Sequence, residues 1–165
     1  MINKKICMVG AFAVGKTSLV KQFVECLFDE KYHTTIGVKI DKKTLEFQDQ
    51  TVQLMIWDIE GVDEFTDLKP SYLRGASGLL LVADGTRSAT LEQAQEIKKI
   101  VREKLGDIPL LLLINKSDLR ESWQFDINET RVLEIPDNNI FRTSAKNDKN
   151  IESAFSRLVE LIMKT

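Results

Sequence analysis

Residues 10–17, Gly10-Ala11-Phe12-Ala13-Val14-Gly15-Lys16-Thr17, leave this chain few ways to fold. Two glycines five apart, then lysine and threonine, lie between an apolar run at 5–9 and an amphipathic segment at 18–26, which predicts a strand, a tight loop and a helix in immediate succession. A loop of this kind turns consecutive backbone N–H groups and a helix N-terminus toward one point, making an anion nest before any side chain contributes. Gly10, Ala13, Val14, Gly15, Lys16, Thr17 and Ser18 are therefore the expected phosphate contacts. Lys16 would bridge a β- and a γ-phosphate, and the Thr17 hydroxyl would reach a magnesium ion. Average residue frequencies produce the pattern by chance in roughly one such chain in a hundred or fewer, which sets this reading ahead of a glycine turn with an incidental lysine and threonine.

The rest of the chain fits an α/β protein. Apolar runs at 5–9, 54–57, 78–83 and 110–114 are short, rich in Val, Ile and Leu, and lack alternation, as expected of strands buried on both faces. Segments 18–26, 90–105 and 151–163 space their apolar residues at helical intervals. Segments 37–47 and 51–57 read as an antiparallel hairpin at one edge of an otherwise parallel sheet, and the right-handed crossover rule puts helices on both faces, giving three layers. Between 118 and 141 the periodicity weakens, so a short helix and irregular loops are expected there. At 165 residues the chain can bury a core without staples, and no linker or repeat divides it, so one domain over 1–165 is expected.

Lys+Arg 23 against Asp+Glu 25 leaves a net charge of -2, which gives no nucleic-acid footprint. Cys7 and Cys26 lie in apolar-patterned segments without metal spacing and read as buried thiols in a reducing compartment. The N-terminus shows no export signal, no stretch is long enough for a membrane helix, and Met163-Lys164-Thr165 carries no cysteine for a lipid anchor, so a cytoplasmic chain without an anchor is expected.

Asn115-Lys116-Ser117-Asp118 follows the apolar run 110–114, at the carboxyl edge where open α/β sheets bind ligands. Asp118 would accept from the ring N–H and the exocyclic amino group of guanine; adenine lacks that donor pair and would leave the buried carboxylate unpaired. Ser144-Ala145-Lys146 would add a backbone N–H to the guanine carbonyl. Each segment alone is an ordinary strand-end turn, but in this order after a phosphate loop they specify a guanine nucleotide.

Together these residues resemble the small GTPases of the Ras superfamily, and within it the Rab branch, over nearly the whole length. The resemblance implies the P-loop NTPase fold, a six-stranded, mostly parallel sheet with helices on both faces. It also implies GTP and GDP as bound nucleotides, Mg²⁺ as cofactor, and hydrolysis of GTP as the activity of a switch in vesicle traffic. Thr34-Thr35-Ile36-Gly37-Val38 resembles the first switch, which makes Thr35 a magnesium ligand and γ-phosphate sensor. Phe28 matches the aromatic that packs on guanine, and Tyr32 the one that closes over the phosphates. Trp57-Asp58-Ile59-Glu60-Gly61 resembles the second switch, with Asp58 holding Mg²⁺ through water and the Gly61 amide meeting the γ-phosphate. Tyr72-Leu73-Arg74-Gly75-Ala76 resembles a stretch that marks Rabs. Effectors and regulators are expected to read segments 30–40 and 59–76. The implied metal set is Thr17, Thr35 and Asp58; the implied catalytic set is Lys16, Thr35, Gly61 and Glu60.

Four positions depart from the pattern. Val62 stands where the family places a water-orienting glutamine, Phe12 where it has a small side chain, and Glu60 where it usually has alanine. The first two predict slow hydrolysis, unassisted or assisted by a partner's arginine. Glu60 could orient water, repel the γ-phosphate or point into solvent. Ile40 replaces a phenylalanine that joins Trp57 and Tyr72 in an effector-facing cluster. His33, the sole histidine, reads as a solvated loop residue, residues 96–103 as a wet helix face, and Trp123 and Phe125 as a cover over the core. Beside the cycling switch stands a second reading, a binding module locked by GTP; a small-metabolite kinase would need a mobile arginine-bearing lid, and the sequence offers none.

Overall fold

Strand β1 (Ile2–Gly10) sets the layers, because its side chains alternate between two separate cores: Ile6 and Met8 enter one, Cys7 and Val9 the other. The structure is a computed structural model and describes residues 1–31, 34–63 and 67–165. Along the chain follow α1 (Lys16–Glu25), β2 (Val38–Phe47), β3 (Gln50–Ile59), α2 (Pro70–Leu73), β4 (Gly78–Asp84), α3 (Ala89–Leu105), β5 (Leu110–Asn115), β6 (Ile140–Arg142) and α4 (Ile151–Met163). Among the described residues they form a six-stranded sheet in the order β2-β3-β1-β4-β5-β6. Only the β2–β3 pair is antiparallel. This is the expected mostly parallel sheet with a hairpin at one edge.

Helices α1 and α4 cover one face, where Leu19, Val20 and Phe23 meet Phe155, Leu158 and Ile162 over Ile6, Met8, Leu80 and Leu111. The Phe23 and Phe155 rings stack with centroids 3.8 Å apart, pinning the two helices together. Helices α2 and α3 cover the other face; Leu91, Ala94, Ile97 and Val101 recur at helical spacing against Cys7, Leu79, Leu81 and Leu112, while Glu96, Lys99 and Glu103 face water. Strands β4 and β5 are buried along their full length, which is why their sequences do not alternate.

The weakly patterned stretch resolves into three 3₁₀ helices, Ser117–Ser122, Ile127–Leu133 and Asp137–Asn139. Asp126 and Glu129 form a reciprocal capping box at the second. Phe125, Leu133 and Ile135 are buried and complete the second core, with Trp123 packed against it, so the aromatic pair covers the core as expected. The cysteines divide. Cys7 is buried and its thiol is pushed up to about 12 by loss of hydration, with Lys5 opposing. Cys26 corrects the expectation: it lies one residue beyond α1 as its left-handed cap, φ 56°, which turns it out of the apolar stripe and leaves it exposed. Among the described residues, no helix is long and apolar enough to cross a membrane.

Candidate functional site

In the sheet order β1 lies between β3 and β4, and such a switch point opens a crevice at the carboxyl ends of the strands. The loops leaving β1, β3 and β5, with the segments around Phe28, Thr35 and Ala145, surround a cavity of about 470 Å³. Of the expected site residues, Ala13, Gly15, Lys16, Thr17, Ser18, Phe28, Thr35, Gly61, Asn115, Lys116, Asp118, Ala145 and Lys146 line it. Gly10, Val14, Asp58 and Ser144 stand behind this lining as buried supports. Tyr32 and His33 lie outside the described residues.

At the phosphate end the loop adopts left-handed backbone at Ala13, φ 63°, and Gly15, φ 101°. A Cβ on Gly15 would come within 2.3 Å of the Asn115 amide nitrogen, so only glycine lets the loop pass that side chain. Asn115 Nδ2 donates to Val14 O at 3.0 Å and Asn115 Oδ1 accepts from Thr143 Oγ1 at 3.2 Å, tying the phosphate loop to β5. The Lys16 ammonium is buried and donates to Ala11 O at 2.9 Å and Gly10 O at 3.3 Å. Burial lowers its pKa to about 8; Asp58 opposes the shift and Arg87 adds to it. A buried cation whose hydrogen-bond acceptors among the described residues are carbonyls is poised to gain from a polyanion beside it.

Next to Lys16, Asp58 Oδ2 accepts from Thr17 Oγ1 at 2.6 Å and from Thr35 Oγ1 at 3.4 Å, and the two threonine hydroxyls meet at 2.5 Å. The other oxygen, Asp58 Oδ1, is buried with no hydrogen-bond partner among the described residues. Burial raises the Asp58 pKa, opposed first by the Thr17 hydrogen bond and then by Lys16. Hydroxyls and a carboxylate with a spare buried lone pair are hard oxygen donors, the chemistry a magnesium ion requires. The residues therefore fit that ion.

At the far end Ser144 Oγ donates to Asp118 Oδ1 at 2.8 Å, and the Asn147 amide donates to Ser144 Oγ at 3.0 Å. The pair fixes one carboxylate oxygen of a residue that lines the cavity. Asp118 is exposed rather than buried, a correction, because it sits on the first turn of a 3₁₀ helix at the cavity mouth; a bound base would supply its desolvation. Gln22 Nε2 donates to Ala145 O at 2.8 Å and so fixes the loop on that side.

The sequence reading overlooked a buried hub behind this end. Asp84, at the close of β4, takes an ion pair from Lys116 Nζ at 2.7 Å, another from Arg87 Nε at 3.1 Å, and hydrogen bonds from Thr86 N and Oγ1. These bonds hold its carboxyl below the usual range despite burial. Lys116 also reaches Ala13 O at 3.4 Å and Arg87 reaches Phe12 O at 2.7 Å, so one carboxylate aligns two cations on consecutive loop carbonyls. An acidic residue ending a wholly apolar run, two before a threonine, was the available signal.

The second-switch segment lies close under the phosphate loop. Val62 N donates to Gly10 O at 3.1 Å and Phe12 N donates to Val62 O at 3.2 Å, a one-rung parallel bridge. A Cβ on Gly61 would meet Phe12 Cα at 2.4 Å, so the approach requires glycine there. The Val62 side chain packs against the second core, and the half-exposed Phe12 ring lines the cavity. Glu60 Oε2 accepts from Gly37 N at 3.0 Å, a contact that the sequence reading did not consider.

Comparison with known proteins agrees with this geometry. The sequence model of the Ras family matches residues 5–164. Ras-related protein Rab-32C of Dictyostelium discoideum is 37% identical over 169 residues, covering 99% of this chain and 75% of the relative. Ras-related protein Rab-1 of Theileria parva is 33% identical over 161 residues, covering 96% and 73%. Ras-related protein Rab-7L1 of Rattus norvegicus is 37% identical over 169 residues, covering 96% and 81%.

Proposed function

The chain belongs to the Ras family of small GTPases, and on that premise we propose that it is a Rab-like guanine-nucleotide switch which keeps GTP intact far longer than its relatives do. Proteins of this family bind GTP and GDP with Mg²⁺, hydrolyse GTP and engage effectors and regulators. The observation that carries the proposal is the position of Val62. Its backbone is bridged to the phosphate loop and its side chain turns to the core, so the residue at the family's water-orienting position offers no group that can hold water.

In this reading the whole chain, 1–165, is one guanine-nucleotide-binding domain. The amides of 13–18 and the Lys16 ammonium bind the phosphates, Phe28 and Lys116 flank the base, and Asp118 with Ala145 reads its edge. Thr17, Thr35 and Asp58 would hold the magnesium ion, which when bound neutralises phosphate charge. Thr35 and the Gly61 amide, on separate segments, respond to the γ-phosphate. Catalysis in this class is positioning plus charge stabilisation of the transferred phosphoryl group. Lys16 and Gly61 retain that part, while orientation of the attacking water is lost at Val62 and access for a partner's arginine is narrowed by Phe12. Partners would read 30–40 and 59–76, where Ile36 and Ile40 are exposed, from the cytoplasm.

The test is single-turnover hydrolysis by the wild type and Val62→Gln. The variant is expected to hydrolyse GTP faster by about tenfold or more, since placing the nucleophile is a large share of the barrier. Equal rates in the two proteins would remove Val62 as the cause. The second reading, a GTP-locked binding module, is favoured by the same bridge and corresponds to no measurable wild-type turnover.

A further inference from the structure

Strands β2 and β3 pair from Phe47↔Gln50 up to Val38↔Ile59, and the next pair along the ladder is Gly37 with Glu60. In a regular antiparallel rung two such residues exchange N–H···O=C bonds in both directions. Here one of the two is present, Glu60 N donating to Gly37 O at 2.8 Å. The return bond is made instead by the side chain, with Gly37 N donating to Glu60 Oε2 at 3.0 Å. The carboxylate thus adds a charge-assisted rung at the edge of the sheet where the two switch segments begin to diverge.

We infer that Glu60 is a positioning residue, a clasp that holds the first switch against the second whichever nucleotide is bound. The inference rests on the proposed switch function and specifies its regulation. Gly37 is two residues from Thr35, whose hydroxyl is hydrogen-bonded to Asp58 Oδ2, and Glu60 is two residues from Asp58 on the paired strand. Fixing Gly37 therefore shortens the free segment that carries Thr35 toward Thr17 and Asp58. An alanine at 60 has no side-chain acceptor to offer, and in this geometry, where the Gly37 amide bonds the carboxylate and not the residue-60 carbonyl, that amide would then depend on water. A switch whose segments are ordered by the γ-phosphate alone releases them when that phosphate goes. With the clasp, part of the ordering is independent of nucleotide, so the GDP and GTP forms differ less, and a partner reading 34–40 distinguishes them less sharply. The carboxylate, engaged with an amide of the first switch, acts through that segment's position and not on the attacking water.

The test is amide hydrogen exchange at Gly37 in the wild type, Glu60→Ala and Glu60→Gln, each loaded with GDP and with a non-hydrolysable GTP analogue, with the bound nucleotide identified in every sample by denaturation and chromatography. In the wild type Gly37 should be protected in both forms. In Glu60→Ala with GDP its exchange should be faster by about tenfold, the scale expected on losing one charge-assisted hydrogen bond, and the analogue should restore protection. Glu60→Gln keeps an oxygen acceptor and should fall between them. Equal exchange in the wild-type and Glu60→Ala GDP forms would overturn the clasp, as would a Glu60→Gln protein that behaves like Glu60→Ala. Either result with guanine nucleotide bound stoichiometrically would leave the proposed function standing. Failure of the chains to bind guanine nucleotide would refute that function, and the clasp with it.

Discussion

Lys16→Ala should raise the dissociation constant for GTP by about a thousandfold, at roughly 2 kcal/mol for each of two charge-assisted bonds to phosphate, while changing the stability of the nucleotide-free fold far less. The separation of effects follows from where the ammonium sits. It is buried, its pKa is lowered to about 8, and carbonyls of Gly10 and Ala11 are its hydrogen-bond acceptors, so the fold alone gains little from its charge. A phosphate beside it would add counter-charge to that of Asp58. Titration with a fluorescent GTP analogue and thermal melting of the nucleotide-free protein measure the two quantities. A loss of melting temperature with affinity unchanged would show that Lys16 is a structural cation and that the cavity holds something other than a polyphosphate.

Asp118→Ala should weaken GTP binding by about a hundredfold or more and abolish most of the preference for GTP over ATP, because a site built to pair with a donor set rejects the base that lacks it by orders of magnitude. Affinity for ATP should hardly move. Ser144 loses an acceptor but keeps the Asn147 amide as a donor, so the loop that presents Ala145 remains in place. Competition of GTP and ATP for the same site, in wild type and variant, gives the ratio directly. An unchanged ratio would mean that the base is read elsewhere in the cavity.

Most of the architecture was legible because the signals were local and redundant. The phosphate loop demanded a strand before it and a helix after it, and the unbroken apolar runs of β4 and β5 admitted only strands covered on both faces. The strand ends were less legible: β1 extends back through Asn3 and Lys4, whose polar side chains sit at its outer end where burial is incomplete. Residues 117–139 were opaque for a physical reason, since 3₁₀ turns are short and show no period of 3.6. At the site, Lys16, Thr17 and Asp118 could be placed by motif and spacing, and Asp58 by the resemblance of 57–61 to the second switch. The Asp84 hub could not, because Arg87 and Lys116 converge on it only once β4 and β5 lie side by side. Nor could the course of Glu60, which depends on the register of β2 against β3 leaving its side chain opposite a free amide.

The most direct measurement of the central claim is to denature the purified protein, identify the released nucleotide by chromatography, reload it with GTP and follow the GTP remaining in a single turnover. The account predicts guanine nucleotide in a ratio near one to one, and GTP persisting over many hours with only slow appearance of GDP. Adenine nucleotide bound equally well would contradict the reading of Asp118. GTP consumed as fast as by a relative with glutamine at this position would contradict the role given to Val62 and Phe12.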